Sequence, residues 1–208
     1  RAPGVSQTEG GSHNTLLVEL AKYLIAFDAP IHERMSKWVL AAAAKQYPGK
    51  PIKYLVLTHH HMDHSSGVRT YAAAGATLVV GKGSGEFFRK VLTSADGLGS
   101  DSPKKKLKPR IIEVESRWFI GEGKREVALY LTENPHATGY LVGYVPDAKL
   151  GFVTDLWSPG RDSLPPKINP GLQAVVNVVN RWGLQPERFA GGHGTVGLYP
   201  DLARLASN

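Results

Sequence analysis

The tightest constraint on this chain is the run Thr58-His59-His60-His61-Met62-Asp63-His64, in which His59, His61, Asp63 and His64 read as donors to a divalent cation. It follows Ile52-Lys53-Tyr54-Leu55-Val56-Leu57, an apolar segment of strand length whose branched residues suit a buried strand. A strand there would present the donors at its carboxyl end. Side chains of an extended chain alternate with a period of two, so His59 and His61 share a side and His60 points away. His60 is accordingly read as a solvent-facing or hydrogen-bonded histidine. Ser65-Ser66-Gly67 followed by Val68-Arg69-Thr70-Tyr71-Ala72-Ala73-Ala74 reads as a cap and a short helix, which sets Asp63 and His64 beside the first pair. Four such donors serve no packing purpose and would be costly to bury without a cation.

The 208 residues fit one domain, 1–208, with halves of similar build over about 14–93 and 110–208. The chain is 42% hydrophobic and 21% charged, as in an ordinary soluble protein, and no apolar run approaches the roughly 20 residues of a membrane span. It contains no cysteine, which excludes disulfides, zinc–thiolate sites and a cysteine nucleophile. A net charge of +7 permits an anionic substrate or a nucleic acid. The charge is most concentrated in Lys104-Lys105-Lys106-Leu107-Lys108-Pro109-Arg110, most simply a solvated loop. Arg1-Ala2-Pro3-Gly4 has neither an initiator Met nor the apolar stretch of a signal peptide. The expectation is a chain that begins inside a longer or processed precursor, either cytoplasmic or periplasmic or secreted after loss of an N-terminal segment. Its oligomeric state is left open.

Along the chain, residues 14–20 and 23–28 suggest a hairpin, and residues 31–47 a helix with Met35, Trp38, Val39, Ala42 and Ala43 at helical spacing. His32, near the start of that helix, lacks a ligand set and reads as structural. Residues 76–80 resemble a strand, and 84–93 a helix packing through Phe87, Phe88, Val91 and Leu92. A Gly-, Ser- and Lys-rich linker over 94–109 divides the halves. The second half opens with strand-like segments at 110–114, 118–120, 126–131, 140–145 and 150–154, then a helix over 171–182 and a short strand ending in Gly191-Gly192-His193-Gly194. Strands followed by helices in both halves suggest two sheets between helical layers.

Three more residues fall at strand ends or loop tips, where side chains from a rigid scaffold converge: His136 in Asn134-Pro135-His136-Ala137, Asp155 after Gly151-Phe152-Val153-Thr154, and His193. With the central run they resemble the metallo-β-lactamase superfamily, whose signature is His-x-His-x-Asp-His followed by a separate His, an Asp and a last His. The resemblance covers the chain from about Asn14 to His193. It implies an α/β fold, an αββα four-layer sandwich of two mixed β-sheets flanked by helices, with metals along one edge of the paired sheets. It makes His59, His61 and His136 ligands of a first metal, Asp63, His64 and His193 ligands of a second, and Asp155 the bridge. Imidazole and carboxylate without sulfur suit two Zn2+, and iron or manganese nearly as well. Two such ions share a water and lower its pKa enough to yield hydroxide near neutral pH, with Asp63 orienting it and passing a proton to the leaving group.

The implied activity is metal-dependent hydrolysis of a small ester, lactone, thioester or amide, a β-lactam among them. The bridging Asp155 favours thioesterase-, lactonase- and nuclease-like members over the cysteine-free lactamases. About 15 residues follow His193, too few for the helical substrate domain of glyoxalase II enzymes. The alternatives are a mononuclear iron persulfide dioxygenase and a nuclease or phosphodiesterase, the latter disfavoured because the lysine-rich loop alone stands where nucleases carry a clamp domain. The partner expected is thus a small molecule, with neither nucleic acid nor membrane. Trp157 and Arg161, in the proline-rich loop after Asp155, and Tyr140, just beyond His136, are candidate substrate contacts.

Overall fold

The computed structural model describes residues 2–9, 11–94, 107–161 and 163–207. The first sheet contains β1 (Val5–Glu9), β2 (Asn14–Glu19), β3 (Leu24–Phe27), β4 (Ile52–Val56), β5 (Thr77–Gly81) and β6 (Ile111–Val114), adjacent in that order. The second contains β7 (Arg117–Glu122), β8 (Arg125–Leu131), β9 (Leu141–Val145), β10 (Leu150–Val153), β11 (Arg188–Gly191) and β12 (Val196–Leu198). Both are mixed. β3 to β6 run parallel to one another beside an antiparallel β1–β2–β3 meander, and β10 and β11 form the parallel pair of the second sheet.

The period of two sorts each buried strand between two cores. Leu16, Val18, Ile25, Phe27, Val56 and Val79 turn inward and meet Val127, Leu129, Leu141, Phe152 and Ala190 of the other sheet. Their neighbours Leu17, Leu24, Ala26, Leu55, Leu78 and Val80 turn outward beneath α1 (Glu33–Gln46), α3 (Val68–Ala73) and α4 (Gly85–Thr93). The outer face of the second sheet carries Ala128, Tyr130, Val142 and Val153 under α5 (Pro170–Trp182) and α6 (Tyr199–Ala206). Four layers result, α, β, β and α. Each buried aliphatic side chain contributes about 1.5–3 kcal/mol by leaving water. Phe27 and Phe152, with ring centroids 5.2 Å apart, join the two sheets directly.

Several sequence expectations are revised. The strand at Ile111–Val114 belongs to the first sheet, because Leu78 pairs with Ile111 and Val80 with Glu113, so the first layer draws on both sides of the linker. Strands β1 and β12 and helix α6 complete the sheets and the outer layer beyond the segments read from the sequence. In α1 and α4 the core faces are Met35, Val39 and Ala43, and Phe88 and Leu92, while Trp38 and Phe87 are exposed. His32 caps α1, its Nδ1 accepting from Met35 N–H at 3.0 Å. Residues 95–106 of the linker, Lys104, Lys105 and Lys106 among them, lie outside the described residues. Among the described residues, no helix is long and apolar enough to cross a membrane.

At one edge the two sheets are stitched together. The Leu141 N–H of β9 donates to Thr58 O just past β4, at 2.8 Å. Gly81 meets Gly139 there so closely that a Cβ on Gly81 would overlap the Gly139 carbonyl. Together these contacts seat the loop carrying His136 against the end of β5 and the run that follows β4.

Candidate metal centre

The donors gather where strands of both sheets end. His59 and His61 follow β4, Asp63 and His64 lie in the one-turn helix α2 (Met62–Ser65), His136 lies between β8 and β9, Asp155 follows β10 and His193 follows β11. Three groups form, each with its donor atoms within 4.8 Å of one another: His59, His61 and His136; His13, Asp63, His64 and His193; and His59, His64 and Asp155. The third group links the other two. His60 enters none of them, and its ring lies 5.6 Å from that of Phe87.

Asp155 stands at the centre. Its φ of +55° is left-handed, a conformation that Asp tolerates better than most residues. Its Oδ2 lies 3.3 Å from His59 Nε2, 3.1 Å from His64 Nε2 and 3.3 Å from His136 Nε2, and its Oδ1 lies 3.0 Å from His193 Nε2. Yet Oδ2 is buried and makes no hydrogen bond among the described residues. The Nε2 atoms of His59 and His136 are 3.2 Å apart, as are those of His64 and His193. Nitrogen lone pairs this close repel unless a proton or a cation lies against them, and a buried oxygen without a partner is costly. Divalent cations coordinated by nitrogen and oxygen would relieve both conflicts, so these residues fit the metals that such a donor set implies.

Behind the inward Nε2 of His59, His64 and His193, the other ring nitrogen has a partner. His64 Nδ1 donates to Asp28 Oδ2 at 3.1 Å, and His193 Nδ1 donates to the Ser12 carbonyl at 3.0 Å. His59 Nδ1 lies 3.2 Å from Thr58 Oγ1, whose hydroxyl in turn donates to Asp28 at 3.0 Å. Asp28 is fully buried at φ +61° and also accepts from Thr58 N–H at 2.8 Å. One carboxylate therefore braces donors in both halves of the cluster.

Charge follows from this arrangement. Burial, reinforced by repulsion from His64, lowers the pKa of His59 to about 3, which leaves its lone pair free at neutral pH. Burial also opposes the charged form of His64, but the carboxylates of Asp28 and Asp155, one beside each ring nitrogen, outweigh it and raise the pKa to about 10. Burial pushes the Asp155 carboxyl up, but His193 at its Oδ1 and the charge of His64 beside it hold it well below the usual carboxylate range.

The candidate substrate contacts separate. Tyr140 is fully buried, stacks on His59 at 5.5 Å and uses its hydroxyl on the Thr154 backbone, accepting from N–H at 2.9 Å and donating to O. It supports a donor and has no surface to offer a substrate. Trp157 is also buried, packed on Phe189 in the core beneath α5, so it does not line the site. Arg161 is exposed and close to Gly194, next to His193, which keeps it at the rim. Two residues escaped the sequence reading: Asp28, legible only as the end of a strand, and His13, a single histidine after Gly10-Gly11-Ser12.

The family model described as the metallo-β-lactamase superfamily matches residues 8–195. Comparison with curated protein sequences gives no match. Among solved structures, the inverting sec-alkylsulfatase Pisa1 from Pseudomonas sp. aligns over 97% of this chain at 17% identity and a TM-score of 0.70, and this chain spans 39% of its length. The metallo-β-lactamase superfamily protein ST1585 from Sulfolobus tokodaii aligns over 98% of this chain and 85% of its own at 19% identity and a TM-score of 0.67. A metallo-β-lactamase from Pontibacter korlensis aligns over 98% and 91% at 16% identity and a TM-score of 0.70. The matched residues take in every donor of the cluster, the sheets and helices are those of an αββα sandwich, and the chain belongs to the metallo-β-lactamase superfamily.

Proposed function

We propose that the protein is a dinuclear metal-dependent hydrolase, with zinc as the metal, acting on a small ester, lactone, thioester or amide. The observation that carries this reading is Asp155 Oδ2, buried without a hydrogen bond among the Nε2 atoms of His59, His64 and His136. His59, His61 and His136 would hold one cation, and Asp63, His64 and His193 the other, with Asp155 between them. When bound, the pair supplies Lewis acidity and lowers the pKa of a shared water towards neutrality.

The chain's own residues supply the rest. Asp63, whose side chain is half exposed, faces solvent on one side and His64 on the other, where it can take a proton from water and return it to a leaving group. His64 and His193 keep fixed orientations through Asp28 and Ser12, so the donors need no rearrangement as charge develops.

Metal quantification of the purified protein, coupled to a panel of lactones, thioesters, phosphodiesters and β-lactams, tests the reading. Near two zinc per chain with hydrolysis of a carbonyl substrate is expected. Full hydrolysis by chain stripped of all metal would overturn it, as would about one iron per chain with oxygen uptake on a persulfide.

A further inference from the structure

The hairpin between β1 and β2 brings a residue of its own to the cluster. His13 Nε2 lies 3.3 Å from Asp63 Oδ2, and a donor atom of His13 falls within 4.8 Å of those of Asp63, His64 and His193. Its ring centroid is 4.2 Å from that of His193, edge-on, and 5.2 Å from that of His64. Its Nδ1 is engaged by Ser12 Oγ at 2.8 Å, which leaves Nε2 as the nitrogen that faces the other donors. This is the arrangement shown by His64 and His193, whose Nδ1 atoms are held from behind while Nε2 converges.

The hairpin is fixed on both sides of His13. Ser12 O accepts from His193 Nδ1 at 3.0 Å. Asn14 N–H donates to Gly192 O at 2.8 Å, and the buried Asn14 amide donates to Gly191 O at 3.0 Å and Gly194 O at 2.8 Å. Four hydrogen bonds thus tie residues 12 and 14 to the loop that carries His193. A histidine needed only to steady Asp63 would have no reason to share its pocket with two more imidazoles, whose nitrogens compete with it for the same space.

We propose that His13 is a further protein ligand of the cation held by Asp63, His64 and His193. The proposal rests on the dinuclear reading above. It gives that cation four side chains besides Asp155, against three besides Asp155 for the cation of His59, His61 and His136.

The test uses wild-type protein loaded with 113Cd and 15N-labelled at histidine. Heteronuclear coupling between cadmium and His13 Nε2, alongside couplings to His64 and His193, is the expected result. Couplings to His64 and His193 with none to His13 would overturn the proposal and leave the dinuclear reading standing. Absence of coupling to all three would overturn both. In His13→Ala, chelator competition should show one of two cations weakened about 10–100-fold and the other within about threefold, in line with loss of a contact at a metal site. Two unchanged affinities would contradict the proposal.

Discussion

Replacing Asp28 by asparagine should loosen one cation and largely spare the other. Asp28 is fully buried and accepts from Thr58 N–H at 2.8 Å, from the Thr58 hydroxyl at 3.0 Å and from His64 Nδ1 at 3.1 Å. Asparagine keeps the volume and tolerates the left-handed backbone at φ +61°, so Asp28→Asn introduces little strain. Its single carbonyl oxygen can stay on Thr58, but its NH2 then meets His64 Nδ1–H, donor against donor. The hydrogen bond lost from His64 is charge-assisted, worth about 1.5–3 kcal/mol. Removing the partner of a metal-binding histidine typically weakens metal affinity about 10–100-fold, or ~1.4–2.7 kcal/mol. That loss should fall on the cation proposed at Asp63, His64 and His193. Titration against a chromophoric chelator reads both affinities, and a circular dichroism melt checks the fold. Both affinities within about twofold of wild type, in a folded variant, would refute the bracing role of Asp28.

On the proposed function, Asp63→Asn should lower kcat by about 100-fold or more while the cation proposed at His59, His61 and His136 keeps its affinity, because the variant removes the proposed proton carrier and no donor of that group; steady-state kinetics beside metal titration decides it. His60→Ala should leave metal content and activity nearly unchanged, since the ring packs near Phe87 and enters no donor group; an inactive variant would show the alternation along the run to be misread. Tyr140→Phe should cost about 1–3 kcal/mol in urea unfolding, because it leaves the buried Thr154 N–H unpaired. Metal uptake at pH 7 should release at least one proton per chain. Although burial opposes it, the pKa of His64 is raised to about 10 by Asp155 and Asp28, so a cation at its Nε2 displaces a proton present at neutral pH and affinity climbs as pH rises towards that value. His59, held at about 3 chiefly by burial, adds no such dependence in that window. Calorimetry in buffers of different ionisation enthalpy counts the protons, and a count of zero would refute the assignment.

That these seven residues would gather was legible because their order along the chain is itself a pattern and they lie close after strand-like segments. Alternation sufficed to separate His60 from His59 and His61. Asp28 and His13 were not legible, because their roles come from long-range contacts: Asp28 meets Thr58 and His64 across 30 and 36 residues, and His13 meets Asp63 across 50. The same limit explains β6. Its apolar content announces a strand, but only its pairing with β5 says to which sheet it belongs. Strand β1 is polar at all but Val5 and sits at a sheet edge, so Val5-Ser6-Gln7-Thr8-Glu9 shows no apolar alternation. Trp157 and Tyr140 read as site residues from their nearness in sequence to Asp155 and His136. Their large apolar surfaces take them into the core instead, and only Tyr140 retains a link to the site, through His59.

Anomalous diffraction from a zinc-loaded crystal tests the central claim most directly. Two zinc peaks roughly 3.5–4 Å apart are expected, one against His59, His61 and His136, the other against Asp63, His64 and His193, and both within bonding distance of Asp155. Zinc-loaded protein with no peak beside Asp155 would contradict it.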